Sequence, residues 1–307
     1  MNKTVEIAIE DSEFGTLVFD AITEGDPGGR PVILLHGFPQ TSLLWKSQLS
    51  GLAAAGYFAI AIDQRGYSPR ARPESIEAYR SEFLTRDILS IADTLGFDRF
   101  HLVGHDWGGV VAWHIACRHG DRLLSVNILS TPHPVALARA IIGSDDLNVS
   151  PEEVLLERGD LLTDQAKRSS YMEFFRREGS EDDLLANEMT GLKLLLEASG
   201  LSQEMVAPYL KVLGNKAALR AGLNWYRATD LSSIQDLGTT KVPTLFIWST
   251  GDIALGPDPA YATKSYVEGP YRFEVLEGVS HWIADEVPDK VTELLLGHIG
   301  TYNSPDK

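Results

Sequence analysis

The segment Gly104-His105-Asp106-Trp107-Gly108-Gly109 follows an apolar run, Phe100-His101-Leu102-Val103, and precedes a helix-like stretch from Val110 to Ala116. Strand, sharp turn and helix in that order are the setting of a nucleophile elbow, where flanking glycines permit a strained turn that lifts one side chain above a sheet. Elbows of this pattern usually carry serine, and here the lifted residue is an aspartate. Serine attacking an sp3 carbon would form an ether, which a neighbouring base cannot hydrolyse. A carboxylate attacking the same carbon forms an alkyl ester, and water can attack its carbonyl in a second step. Asp106 therefore points to displacement at carbon, by opening an epoxide or expelling a halide. Asp is also a good helix N-cap, but capping alone leaves the paired glycines and the downstream partners unexplained.

Two later residues supply those partners. Asp252 follows the apolar run Val242 to Trp248 through Ser249-Thr250-Gly251, and His281 follows Tyr271 to Leu276 through Glu277-Gly278-Val279-Ser280. Both positions read as strand-end loops. The order nucleophile, acid, base suits a triad in which His281 takes a proton from water and Asp252 orients and stabilises the imidazolium. A third strand-end loop, His36-Gly37-Phe38-Pro39, can aim the Phe38 N–H at the elbow. With the Trp107 N–H at the helix start it would form an oxyanion hole. During ester hydrolysis that hole would hold an oxygen of Asp106 itself. The Phe38–Pro39 bond is a candidate for the cis form.

The elements that must position these residues alternate along the first 131 positions. Val5–Ile9 and Thr16–Ala21 read as an opening antiparallel pair, Pro31–Leu35 as a strand buried on both faces, Tyr57–Ile62 and Phe100–Val103 as further strands, and Leu123–Leu129 as another apolar run. Helical patterns fall at Leu44–Ala55 and Glu82–Leu95. From about Pro132 to Ser232 no buried strand is evident. Helical stretches take over at Pro151–Arg158, Ser170–Arg177, Asp182–Leu196, Ser202–Leu213 and Lys216–Arg227. Strands resume at Val242–Trp248 and Tyr271–Leu276, and a last helix runs Pro288–Ile299. The fold class is α/β, a mostly parallel sheet flanked by helices, with an all-helical cap inserted over the carboxyl ends of the strands. The expected division is 1–131 for the first part of the core, 132–232 for the cap and 233–307 for the second part.

Composition narrows the function classes. A net charge of −16, from 43 acidic against 27 basic residues, disfavours nucleic acid or an anionic membrane surface as partner. The single cysteine, Cys117, excludes an intramolecular disulfide and suits a reducing compartment. The opening residues lack a long apolar stretch, and no run approaches the length of a membrane span, so a cytoplasmic location is expected. The eight histidines show no paired helical spacing backed by carboxylates. No metal and no cofactor is expected; water is the co-substrate.

Taken together, the motifs resemble those of the epoxide hydrolases of the α/β-hydrolase fold over nearly the whole chain. The matching marks are His36-Gly37-Phe38-Pro39, Asp63-Gln64-Arg65-Gly66-Tyr67, Gly104 to Gly109, and the pair Asp252 and His281. The resemblance implies two cap tyrosines that hold the epoxide oxygen and protonate the alkoxide. Leu223-Asn224-Trp225-Tyr226-Arg227 resembles the segment carrying one of them, giving Tyr226. The other matches Tyr171, with Tyr209 as the substitute. A tyrosine with pKa ~10 can protonate an alkoxide yet stays protonated at neutral pH. Phe38, Trp107, Phe174 and Trp225 are the expected substrate-contacting aromatics, and an apolar aryl or alkyl epoxide the expected substrate.

Two other readings share these residues. A haloalkane or haloacetate dehalogenase would use the same triad, with Trp107 donating its indole N–H to halide. Haloalkane dehalogenases usually carry a second donor where Phe38 stands, and fluoroacetate dehalogenases usually have arginine where Trp107 stands. A non-catalytic ligand-binding protein of the same fold would be expected to have lost a triad member, and none is lost.

Overall fold

Eight strands form one sheet: β1 (Lys3–Asp11), β2 (Gly15–Glu24), β3 (Arg30–Leu35), β4 (Tyr57–Ile62), β5 (Phe100–His105), β6 (Leu123–Leu129), β7 (Thr244–Ser249) and β8 (Tyr271–Leu276). This computed structural model describes residues 3–144, 163–197, 200–230, 234 and 236–303. The strand order is β1-β2-β4-β3-β5-β6-β7-β8. β1 and β2 pair antiparallel, as do β2 and β4, and every pair from β4 to β8 is parallel. Residues 32–35, 100–105, 123–129 and 244–249 are buried without interruption, because helices cover both faces of the parallel strands. Burying each of Val32, Ile33, Leu34 and Leu35 contributes roughly 1.5–3 kcal/mol.

The helices of the core are α1 (Lys46–Ala54), α2 (Ser81–Thr94) and α3 (Trp107–Arg118), with α12 (Pro288–Thr301) at the end of the chain. α1 and α12 close one apolar layer over Val32, Leu34, Val103 and Ile247. α2 and α3 close the other over Ile33, Leu35, Leu102 and Phe246. The remaining helices are α4 (Pro134–Ile142), α5 (Asp164–Arg168), α6 (Tyr171–Arg176), α7 (Ser180–Glu197), α8 (Gln203–Leu213), α9 (Lys216–Arg227), α10 (Pro257–Ala262) and α11 (Ile283–Glu286). Between β6 and β7 the described residues contain helices and no strand. The expected helix at 151–158 lies outside the described residues.

Two local readings change. The expected continuous helix from Asp182 to Leu196 is broken inside α7, where Asn187, Glu188 and Met189 take left-handed backbone angles. The break folds the second half back, so that Gly191 packs against Leu184. Neither α4 nor α10 stands out by periodicity. Each starts at a proline, which is pre-set for the first helical turn.

Register delivers the loops to one edge. Leu35 lies opposite Gly104, His105 opposite Leu129, Leu129 opposite Ile247 and Ser249 opposite Leu276. The residues that follow these strand ends, from His36, Asp106 and Ser130 to Asp252 and His281, therefore gather above the same end of the sheet.

Candidate active site

Asp106 has φ 51° and ψ −120°, a backbone region that costs an ordinary residue on the order of 1–3 kcal/mol. The turn is possible because Gly108 passes so close to β3 that a Cβ there would lie 2.2 Å from the Leu35 carbonyl oxygen. Thr131 Oγ1 donates to the Asp106 carbonyl at 2.8 Å and ties the turn to the end of β6. Asp106 Oδ1 accepts the Phe38 N–H at 2.8 Å. The Trp107 backbone N–H also bonds the carboxylate. Burial alone would push the Asp106 carboxyl up, but the facing His281 imidazole and its charge, with the Trp107 N–H, hold it below the usual carboxylate range.

The Phe38 loop is itself braced. His36 Nδ1 donates to the Gly37 carbonyl at 2.9 Å, and its Nε2 accepts the Gln64 N–H at 3.2 Å. Burial keeps this imidazole neutral, so it has one donor and one acceptor nitrogen to offer. The Phe38–Pro39 peptide is cis. Arg65, in the same Asp63 to Tyr67 segment, is fully buried between Asp11 and Asp87, while its carbonyl accepts the Trp225 indole N–H at 3.0 Å.

His281 sits between two carboxylates. Its Nδ1 donates to Asp252 Oδ2 at 2.7 Å, and its Nε2 stands 3.6 Å from Asp106 Oδ2. Its carbonyl accepts from Ser130 Oγ at 3.0 Å and from His105 Nε2 at 2.9 Å, which fixes the loop. The other oxygen of Asp252 accepts the Ala254 and Leu255 N–H groups at 2.8 and 2.9 Å, so Asp252 cannot rotate away from the ring. Burial would lower the His281 pKa. The facing Asp252 and Asp106 carboxylates outweigh it and raise the group to about 10.

A cavity of about 330 Å³ opens over this pair. Asp106 and His281 form its floor, and Tyr171 and Tyr226 line its wall. The two tyrosine rings lie 6.3 Å apart at 79°. Both phenols are held protonated well above the ordinary tyrosine value, by burial first and by the Asp106 charge second. Tyr209 is turned away: its hydroxyl donates to Asp285 at 3.0 Å. Of the two tyrosines weighed for the first donor, Tyr171 is the one that faces Asp106.

Three of the four expected substrate-contacting aromatics do not line this cavity. The cavity is lined by Phe175 and not by Phe174, whose ring lies under the Arg177 guanidinium at 5.0 Å. One residue along a helix rotates the side chain about 100°, and the sequence Phe174-Phe175 does not say which ring turns inward. Trp225 does not line the cavity, because its indole N–H is committed to Arg65 beneath it. The Trp107 ring is also behind the wall, edge-on to Tyr226 at 5.0 Å. Phe38 is a lining residue as expected. The reading missed Leu195, Trp282 and, at the mouth, Leu194 and Ile253, which are 57% and 61% exposed. Trp282 directly follows His281, the one signal that could have flagged it.

Among the described residues no group of His, Cys, Asp and Glu could hold a metal ion, and no helix is long and apolar enough to cross a membrane. Cys117 is half-buried beside His133, and burial pushes its thiol up to about 12.

The protein family described as the alpha/beta hydrolase fold matches residues 30–288. Epoxide hydrolase A of Mycobacterium tuberculosis is 35% identical over 296 residues, covering 90% of this chain and 92% of that protein. Epoxide hydrolase 4 of Homo sapiens is 30% identical, covering 91% of this chain and 75% of its own. A solved structure described among novel epoxide hydrolases in metagenomes from hot environments superposes with a TM-score of 0.79. It is 27% identical and covers 99% of both chains.

Proposed function

The chain belongs to the epoxide hydrolases of the α/β-hydrolase fold, and from that premise we propose that it adds water to an apolar epoxide through a covalent ester of Asp106. The observation that carries this reading is the convergence of Tyr171 and Tyr226 on the cavity whose floor is Asp106. A halide departs as an anion and needs no proton. An epoxide oxygen departs as an alkoxide and does. The wall that faces the nucleophile holds two protonated phenols.

The steps follow from the geometry. Oδ1 of Asp106 is held by the Phe38 N–H, so Oδ2, on the His281 side, is the attacking oxygen. It bonds to an epoxide carbon as the C–O bond breaks, and a tyrosine gives its proton to the alkoxide. The product is a hydroxyalkyl ester with Oδ1 as its carbonyl oxygen, already in the Phe38 and Trp107 N–H pair. Esterification removes the Asp106 charge, one of the two charges that hold the proton on His281. The imidazolium can then pass its proton to the tyrosinate, and the neutral imidazole becomes a base when one is needed. It takes a proton from water as the water oxygen bonds to Cγ, and the oxyanion forms in the N–H pair. Collapse expels the diol oxygen, which takes the His281 proton. The resulting Asp106 acid gives its proton to His281, which restores the carboxylate beside the imidazolium. Epoxide and water become diol, and every group is restored.

The helices between β6 and β7 serve as the cap in this reading, with residues 132–232 as its extent. The lining of Phe38, Phe175, Leu195 and Trp282 favours an aryl or alkyl substituent on the epoxide. Arg168, the one Lys or Arg among the described residues of the wall, is engaged by Asp164 and by the Asp252 carbonyl. The test is turnover by purified protein of aryl and alkyl epoxides beside bromoalkanes and fluoroacetate. Diol without halide is expected. Halide without diol would move the reading to a dehalogenase, and neither product would leave a ligand-binding protein.

A further inference from the structure

The loop that carries Asp252 is gripped by α5, a helix of the segment between β6 and β7. Gln165, on α5, is 2% exposed, and its side-chain amide is bonded at both its nitrogen and its oxygen. Its Nε2 donates to the Ala254 carbonyl at 2.8 Å and to Ser169 Oγ at 2.9 Å, and its Oε1 accepts the Gly256 N–H at 2.8 Å. One turn along, Arg168 donates from its terminal nitrogen to the Asp252 carbonyl at 2.9 Å. Its Nε is anchored on Asp164 at 2.6 Å. The opposite side of the loop is held by β7, where the Trp248 indole N–H donates to the Leu255 carbonyl at 2.9 Å.

The same glutamine reaches toward Tyr171. Ser169 is two residues before it, its backbone N–H donates to the Gln165 carbonyl, and its own carbonyl accepts the Met172 N–H at the start of α6. A buried amide with both donors committed and its oxygen bonded is costly to disrupt and fixes whatever it bonds. We propose that Gln165, with Arg168, is a positioning pair that holds the loop of Asp252 and the helix of Tyr171 in one geometry. The pair rests on the reading of Asp252 as orienting acid and Tyr171 as proton donor. It links the two half-reactions. Ester formation needs Tyr171 over Asp106, and ester hydrolysis needs Asp252 against His281. Errors of about 1 Å in such placements cost on the order of 10²-fold in rate.

The experiment uses the full chain and two variants, Gln165→Leu and Arg168→Met. The first readout is the titration of His281 in substrate-free protein, followed through its Nδ1 proton by NMR. The groups facing that ring are Asp252, Asp106 and the neutral His105. Loosening Asp252 weakens its hold on the imidazolium, so the midpoint is expected to fall by about one pH unit in Gln165→Leu and in the same direction in Arg168→Met. The second readout is single turnover of an aryl epoxide. Ester formation and ester hydrolysis are both expected to slow by roughly tenfold or more in Gln165→Leu, whereas Arg168→Met chiefly slows hydrolysis. A lower unfolding temperature with the His281 midpoint unmoved would overturn the proposal. If Gln165→Leu does not fold, Arg168→Met decides, since its side chain is partly exposed, and an unmoved midpoint there overturns it equally. A wild-type protein that makes no diol would defeat the epoxide reading while the NMR titration still judged the pair.

Discussion

His281 Nε2 stands 3.6 Å from Asp106 Oδ2 while its Nδ1 is bonded to Asp252 at 2.7 Å. The gap above Nε2 is where a water bound for the Asp106 ester would be activated. Replacing His281 with Gln leaves the nucleophile in place and removes the base. Ester formation should persist, and ester hydrolysis should slow by roughly 10²–10⁴-fold. Intact-protein mass spectrometry after mixing with an aryl epoxide should then find the protein with one substrate attached. In the wild type, hydrolysis of the ester should rise with pH through a midpoint below about 10, because esterified Asp106 no longer supports the imidazolium. A midpoint unchanged between free and esterified protein would contradict this coupling.

Tyr171→Phe and Tyr226→Phe should each slow ester formation by roughly ten- to a hundredfold, and the double variant should lose it almost entirely. Tyr209→Phe should leave ester formation at the wild-type rate, because its hydroxyl is bonded to Asp285 outside the cavity. Stopped-flow tryptophan fluorescence can follow the step. A Tyr209→Phe variant slower than Tyr171→Phe would exchange the roles of the two residues.

Gly37 lies against the nucleophile. A Cβ at this position would sit 2.3 Å from both Asp106 Cβ and Oδ1. Gly37→Ala must therefore shift the carboxylate off the Phe38 N–H, and turnover should fall by roughly 10²–10³-fold. The fold should survive, since the clash is relieved locally at the cavity floor. Circular dichroism and diol formation, measured together, separate the two effects.

Asp285 supplies a pH test away from the reaction. Burial pushes its carboxyl up to about 7, against hydrogen bonds from Tyr209 and Gln40 that favour the anion. The folded pKa exceeds the ordinary value of 3.8, so the folded state holds this proton more tightly than the unfolded chain. Its contribution to stability is then full below pH 3.8 and is lost as pH rises toward about 7. Asp285→Asn removes the titration. Wild-type protein should lose unfolding temperature relative to the variant across that interval, and a constant difference would refute the shift.

Much of this was legible in the sequence, and the reason is physical. Loops that leave parallel strands at their carboxyl ends carry short motifs with strong local constraints: Gly37 and Gly108 tolerate contacts no other residue can, Asp252 follows a buried apolar run and His281 a half-buried strand. The antiparallel start, the parallel strands and the helical segment between β6 and β7 follow from periodicity in the same way. Side-chain direction on the helices did not follow. Phe174 and Phe175 are adjacent and alike, and only packing against Tyr171 and Tyr226 turns the second one inward. Trp225 is drawn under the cavity wall by a single carbonyl, that of Arg65, distant in sequence. The break at Asn187 to Met189 contains neither Gly nor Pro, and Asn187 is its one residue of a type that favours the left-handed region.

The covalent ester is tested most directly by one turnover in water enriched in the heavy oxygen isotope, with protein in excess over an aryl epoxide. Water that attacks Asp106 Cγ leaves its oxygen on the carboxylate. The expected result is a diol without label and a peptide containing Asp106 that has gained it. A labelled diol, with Asp106 unlabelled, would mean that water attacks the epoxide itself and that Asp106 is not the nucleophile.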